Sequence, residues 1–191
     1  MFPLLETKRL KLREITTKDV SSIFECFSNE QLTRYYGQDP FENIEQAKKL
    51  VDFFANSYAE KKGIRFGIEL KQTEELIGTI GFNAWSMKHR RAEVGYEIHP
   101  SYWGKGYASE ALEAIVSYGF EKMDLTRIGA IVFIENIASN QMLTKFAFER
   151  EGILKKYMFQ NGKSYDVYSY SLVKSWIFNI AIQIGLGFVQ F

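Results

Sequence analysis

"HPSYWGKGYASEAL", His99 to Leu112, sets two glycines one residue apart, then small residues, then the opening of an amphipathic helix. Side chains have been stripped from the mouth of that helix. A tight turn would account for this. So would an anion approaching the backbone. The first N–H groups of a helix have no intrahelical partner, and they carry the positive end of the helix dipole. Glycine removes the Cβ that would hold a ligand away from them, an arrangement that suits a phosphate or pyrophosphate. Two phosphate motifs are absent. There is no G-x-x-x-x-G-K-S/T, and Ser109 stands where G-x-G-x-x-G needs its third glycine.

Outward from this loop the hydrophobic period switches repeatedly. Upstream, "AEVGYEIHP" alternates Val94, Tyr96 and Ile98 against Glu93, Gly95 and Glu97, so it reads as a strand that Pro100 ends. Downstream, Ala108, Ala111, Leu112, Ile115, Val116 and Phe120 form one helical stripe. "RIGAIVFI" is a near-continuous apolar run, as expected of a strand covered on both faces. "IASNQMLTKFAF" is a short helix. "GILKKYMF" and "YDVYSYSLV" flank "QNGKS", whose Asn-Gly signals a hairpin. Toward the N-terminus, "RLKLRE" is a strand and "TTKDVSSIFECF" a helix opened by Thr16 and Asp19. A second helix starts near Asn43, with Gln46 three residues on, and buries Ala47, Leu50, Val51, Phe54 and Tyr58. "IRFGIEL" and "ELIGTIGF" are strands joined by the polar turn "KQTEE".

The predicted order is β-α-α-β-β-β-α-β-α-β-β. That is an α/β or α+β class with a single mixed, twisted central sheet of about six to seven strands flanked by about four helices. The expected division is one domain over residues 1–176 and an apolar tail over 177–191.

Composition narrows the partners. The net charge is +1, so no global field favours nucleic acid or an acidic membrane. The single cysteine, Cys26, excludes an intramolecular disulfide and any cysteine metal motif. It sits in an apolar helical stripe and reads as a small buried hydrophobe. No metal site is expected. The N-terminus lacks the basic-then-apolar layout of a signal peptide. The greasiest stretch, "WIFNIAIQIGLGFVQF", is interrupted by Asn179, Gln183 and two glycines, and is shorter than a spanning helix. A cytoplasmic protein is the expectation. The tail either packs on its own domain or covers a partner chain in a homodimer.

"AEVGYEIHPSYWGKGYASEAL", followed by "ENIASNQMLTKFAFEREG", resembles the GNAT acetyltransferase superfamily. With "ETKRLKLREIT", "IGTIGF" and "DVYSYSL" it is most similar to the branch of the RimJ and RimL ribosomal-protein N-terminal acetyltransferases. The likeness spans Leu5 to about Trp176. It implies transfer of an acetyl group from acetyl-CoA to a primary amine, either a protein N-terminus or a small molecule. With no plausible cysteine nucleophile, direct attack in a ternary complex is simpler than an acyl-enzyme. A non-catalytic acyl-CoA-binding module, which would keep the glycine loop and need no proton shuttle, is the alternative.

The superfamily's loop reads Q/R-x-x-G-x-G/A; here Ser101–Gly106 matches its glycines and lacks its leading residue. The resemblance implies that backbone N–H groups of Trp103, Gly104, Lys105, Gly106, Tyr107 and Ala108 hold the pyrophosphate, with Ser109 adding its hydroxyl or capping the helix. It also implies that the strand Glu93–Ile98 splays from Arg127–Ile134. The pantetheine arm would lie in that gap, against backbone groups near Ile98. Asn136 matches a CoA-contacting asparagine, and equally reads as a turn residue before a helix. Ser139 matches the "N-x-x-S" serine proposed to protonate the thiolate, and equally reads as a helix-start residue. Leu143 stands where many members carry a tyrosine.

For the base, Glu93 and Glu97 share one strand face, and either would need burial to hold a proton at neutral pH. The other readings are a solvated strand face and a water chain. Asp166 reads as structural, His99 as a surface residue at a strand end, and Glu110 as favouring the helix dipole. Tyr35, Tyr36, Phe41 and Trp85 are candidates to shape the acceptor pocket.

Overall fold

The alternating leucines near the N-terminus form an edge hairpin, β1 (Leu5–Glu6) with β2 (Leu10–Glu14), in which Leu5 faces Leu12. A computed structural model describes residues 1–174. β1 is only two residues long, too short to show a period, and is the strand the sequence pattern did not register.

The Asp19 carboxylate accepts the Thr16 N–H at 2.8 Å, closing one turn of 3-10 helix at Thr17–Asp19 before α1 (Val20–Phe27). A four-residue α2 (Glu30–Thr33) follows, set by Asn29, whose side chain accepts from the Gln31 and Leu32 amides. The third helix, α3 (Ile44–Ala59), opens on the expected reciprocal cap: Asn43 Oδ1 accepts from Gln46 N–H and Gln46 Oε1 from Asn43 N–H. Next come β3 (Ile64–Leu70), β4 (Leu76–Ser86), β5 (Arg91–Ile98), α4 (Tyr107–Glu121), β6 (Arg127–Phe133), α5 (Ile137–Lys145), β7 (Glu149–Gln160) and β8 (Lys163–Val173).

The eight strands form one mixed sheet in the order β1-β2-β3-β4-β5-β6-β8-β7. Only β5 and β6 run parallel among the described strands. Strand alternation sorts side chains to two faces. On one, α4 is pressed close: a Cβ on Gly119 would stand 2.7 Å from Phe82 Cζ, and Tyr118 meets Phe66 edge-on at 5.8 Å. On the other, α1 and α3 form a second core with Ile23, Phe27, Ala47, Val51 and Phe54. Because α1 packs on β4 and α3 on β3, β6 is not covered continuously. Its Ile128, Ala130 and Val132 are buried, while Gly129 and Ile131 on the other face are half-buried. That corrects the expectation of a strand covered on both faces.

Among the described residues no helix is long and apolar enough to cross a membrane. The expected apolar tail, 177–191, lies outside the described residues.

Candidate active site

β5 ends where the His99 N–H bonds the Ile77 carbonyl of β4 at 2.8 Å. A single turn, Pro100–Tyr102, follows, with His99 Nδ1 accepting from the Ser101 amide at 3.4 Å. The backbone then passes through Gly104 at φ +72° and Gly106 at φ +79°, both left-handed, and Gly106 caps α4. Nothing lies within 4 Å of the place a Gly104 Cβ would take, and a Gly106 Cβ would meet only Arg9 Nη2 at 3.4 Å. The first amide to bond into the helix is that of Glu110, to Gly106 O at 3.1 Å. The amides of Gly104, Lys105, Gly106, Tyr107, Ala108 and Ser109 therefore have no backbone acceptor among the described residues. They form a concave run of donors at a positive helix end, and the loop fits an anion on its backbone alone.

Trp103 differs from its neighbours. Its N–H bonds Pro100 O at 3.1 Å and its indole donates to Ile98 O at 2.6 Å, so it braces the loop from behind. Lys105 Nζ turns back to Ser101 O at 3.0 Å and over the Tyr102 ring. A second cation at the loop is Arg9, whose guanidinium lies 4.4 Å from the centre of the Tyr107 ring and donates to Lys105 O at 2.9 Å. Glu110 does more than favour the dipole. It accepts from the Thr7 hydroxyl at 2.6 Å, the Arg9 amide at 2.7 Å and Arg9 Nε at 2.6 Å, tying the N-terminal hairpin to the mouth of α4.

β5 and β6 pair at only three positions, ending at Glu93 opposite Gly129. Beyond that point they diverge, while β5 stays paired to β4 as far as Ile98. Since His99 N–H points to β4, two-residue alternation turns the amides of Ile98 and Tyr96 into the gap. A cavity of about 630 Å³ occupies it. One side is lined by Gly104, Gly106, Ala108 and Ser109 with Asn136 and Ser139; the other by Leu32, Arg34, Tyr35 and Tyr36. Its lining draws on both faces of the sheet, with Tyr96 on one face of β5 and Glu97 on the other.

At that centre stand Tyr96 and Ser139. Ser139 lies in the first turn of α5 and lines the cavity; its N–H is held by Asn136 Oδ1 at 3.2 Å, so Asn136 acts here as a helix cap. The Tyr96 hydroxyl faces Ser139, is closed to solvent and makes no hydrogen bond of ordinary geometry. Burial pushes it up to about 12. Leu143 is wholly buried in the core.

The two strand carboxylates occupy different surroundings. Glu97, 9% exposed, accepts from Arg65 Nη2 on both oxygens at 2.6 Å and from the Thr79 hydroxyl at 2.6 Å. Arg65 also donates to Thr79 Oγ1 and to Gly95 O, and lies over Phe54. Glu97 thus borders the cavity with its lone pairs engaged. Glu93 is half-buried at the last β5–β6 pair, against Gly129, and does not line the cavity. Burial, with Glu97 beside it, keeps the Tyr36 hydroxyl protonated well above the usual phenol range.

Of the four aromatics expected around the acceptor, Tyr35 and Tyr36 line the cavity. Phe41 instead stacks on Phe27 at 5.5 Å in the α1–α3 core. Trp85 borders a separate hollow with Phe53 and Phe54. Cys26 is buried, and burial raises its thiol to about 12, which fits a hydrophobe and not a nucleophile. Asp166 accepts from the Lys156 amide at 2.8 Å and Lys155 Nζ at 2.9 Å, where β7 bulges against β8. Arg9, Arg65 and Tyr96 were not singled out from the sequence. Each looked like an ordinary strand residue, and only the register brings them to the site.

The family model described as "Acetyltransferase (GNAT) domain" matches residues 9–149. "Uncharacterized N-acetyltransferase YoaA" of Bacillus subtilis (strain 168) is 57% identical over 174 residues, covering 91% of this chain and 98% of that one. The crystal structure of spermidine N-acetyltransferase from Vibrio cholerae in complex with CoA and spermine is 26% identical. It superposes with a TM-score of 0.78, over 87% of this chain and 96% of that chain. An acetyltransferase from Salmonella typhimurium, described as modifying the N-terminal serine of 50S ribosomal subunit protein L7/L12, shares the fold. It gives a TM-score of 0.82 at 22% identity, covering 91% of this chain and 100% of that one. The splayed strands, the bare amide loop and these likenesses agree: the chain belongs to the GNAT acetyltransferases and is an acetyl-CoA-dependent N-acetyltransferase.

Proposed function

We propose that the acceptor is a primary amine without further cationic groups, a protein N-terminus or a small-molecule amine, as in the RimJ/RimL branch, and that it attacks acetyl-CoA directly in a ternary complex. The carrying observation is the cavity lined from both faces of the sheet. The amide loop lies on one face, the Tyr35–Tyr36 entrance on the other, and the two substrates meet between β5 and β6.

Gly104–Ser109 amides hold the pyrophosphate, and the gap-facing amides of Tyr96 and Ile98 hold the pantetheine arm and polarise the thioester carbonyl. Asn136 fixes the first turn of α5, and Ser139 delivers a proton to the departing sulfur. The amine gives up its proton to water in the open cavity, because Glu97 is engaged with Arg65 and Thr79 and Glu93 lies outside it.

Charge supports the acceptor class. Glu97 is the only carboxylate among the described lining residues and its charge is met by Arg65, while Arg34 adds a positive charge at the acceptor entrance. A polycation would find no free anionic partner there. The test is release of CoA thiol over a panel of N-terminal peptides, small monoamines and spermidine. Turnover with peptides or monoamines, and at least about 10-fold lower kcat/KM for spermidine, is expected. Preference for spermidine overturns the acceptor class, and no turnover with any amine overturns the reading as a whole.

A further inference from the structure

We infer that Tyr96 is a positioning residue that works through Ser139 as a two-hydroxyl proton relay to the leaving sulfur. The inference rests on the ternary-complex reading above and adds to it a residue that the sequence pattern presents only as an inward-facing strand aromatic.

Three observations converge. Tyr96 sits on β5 past the last pair with β6, so its ring stands beside the diverging strands. Cross-strand register puts it on the face of Ile80 and Phe66, the side where α4 lies and where the amide loop opens. Its hydroxyl is closed to solvent, faces Ser139 and has no partner of ordinary geometry among the described residues. A buried hydroxyl without a partner costs stability, and a phenylalanine there would be free of that cost. The hydroxyl is therefore available to the Ser139 hydroxyl that it faces. Burial keeps the phenol protonated through the physiological range, so it acts as a donor and not as a base.

Ser139 alone is a weak acid. A phenol donating to its Oγ orients the serine O–H toward the sulfur and replaces the proton as it leaves. The amine nitrogen attacks the acetyl carbon, the N–C bond forms, the C–S bond breaks and its electron pair leaves on sulfur. Sulfur takes the proton of Ser139, Ser139 takes that of Tyr96, and after the thiol departs Tyr96 is reprotonated through Ser139 by cavity water, which has received the proton lost by the amine. The protein ends as it began.

Tyr96→Phe and Ser139→Ala should each lower kcat about 10- to 100-fold, while the KM for acetyl-CoA stays within about 2-fold. The double variant should be no slower than the slower single variant, because both remove the same relay. Tyr96→Phe should keep a cooperative unfolding transition, so that the lost rate is read on a folded enzyme. Wild-type kcat in a folded Tyr96→Phe enzyme overturns the relay, as do defects that multiply in the double variant. In both cases the acetyltransferase reading stands. A wild-type enzyme inert toward every amine overturns the ternary-complex reading and the relay with it.

Discussion

In the proposed reading, coenzyme binding turns on Gly106. At φ +79° a side chain is strained before any ligand arrives, and its Cβ would project among the amides that must meet the phosphates. Gly106→Val should weaken CoA binding by at least about 10-fold by calorimetry, with a folded protein shown by an intact cooperative unfolding transition. Unaltered affinity would remove the loop from the binding site. The glycine pair was legible because backbone conformation selects it directly, and its spacing against the strand end and helix start leaves few other uses. Arg9 was not legible. Its place beside Tyr107 depends on the N-terminal hairpin folding over the start of α4, a contact that no local pattern encodes. Tyr96 and Tyr36 were visible as aromatics, yet which hydroxyl ends without a partner is a property of the register alone.

At the scale of elements, Glu110 shows how the loop is held. Burial tends to raise its carboxyl, but the Thr7 hydroxyl, the Arg9 amide and the Arg9 guanidinium together bring it below the usual value of 4.5. A carboxylate lowered on folding stabilises the fold fully above its unfolded value, and that contribution is lost as pH falls through the folded value. Glu110→Gln should therefore cost about 1 kcal/mol of stability near neutral pH, a difference that shrinks below about pH 4 in urea unfolding. A constant difference across this range would mean that the carboxylate's charge plays no part. Most elements were legible from periodicity and caps: the Asn43–Gln46 cap opens α3 where its residues predict, and the alternating strands follow. β1 and α2 were too short to show a period. The half-covered face of β6 reflects where α1 and α3 settle, which an apolar run cannot report. Parity placed Glu93 and Glu97 on one face, but only the sheet register shows Glu97 opposite Thr79, with Arg65 reaching both.

Across the whole molecule, one interruption in an otherwise continuous sheet creates the site. β5 stays paired with β4 as far as Ile98 but leaves the Tyr96 and Ile98 amides facing a gap that opens after three pairs with β6. Buried backbone donors without acceptors are rare unless something is to be bound. The amide groups at Gly104–Ser109 stand at one end of the same gap, so the phosphates and the arm of one extended molecule can bridge both sets. The most direct check is an amide-resolved NMR titration of the protein with coenzyme A. The amides of Gly104 through Ser109, together with those of Tyr96 and Ile98, should shift and become protected from hydrogen exchange, while the Trp103 amide, already bonded to Pro100, should gain little protection. Saturable binding that leaves the loop and gap amides unmoved would contradict the account.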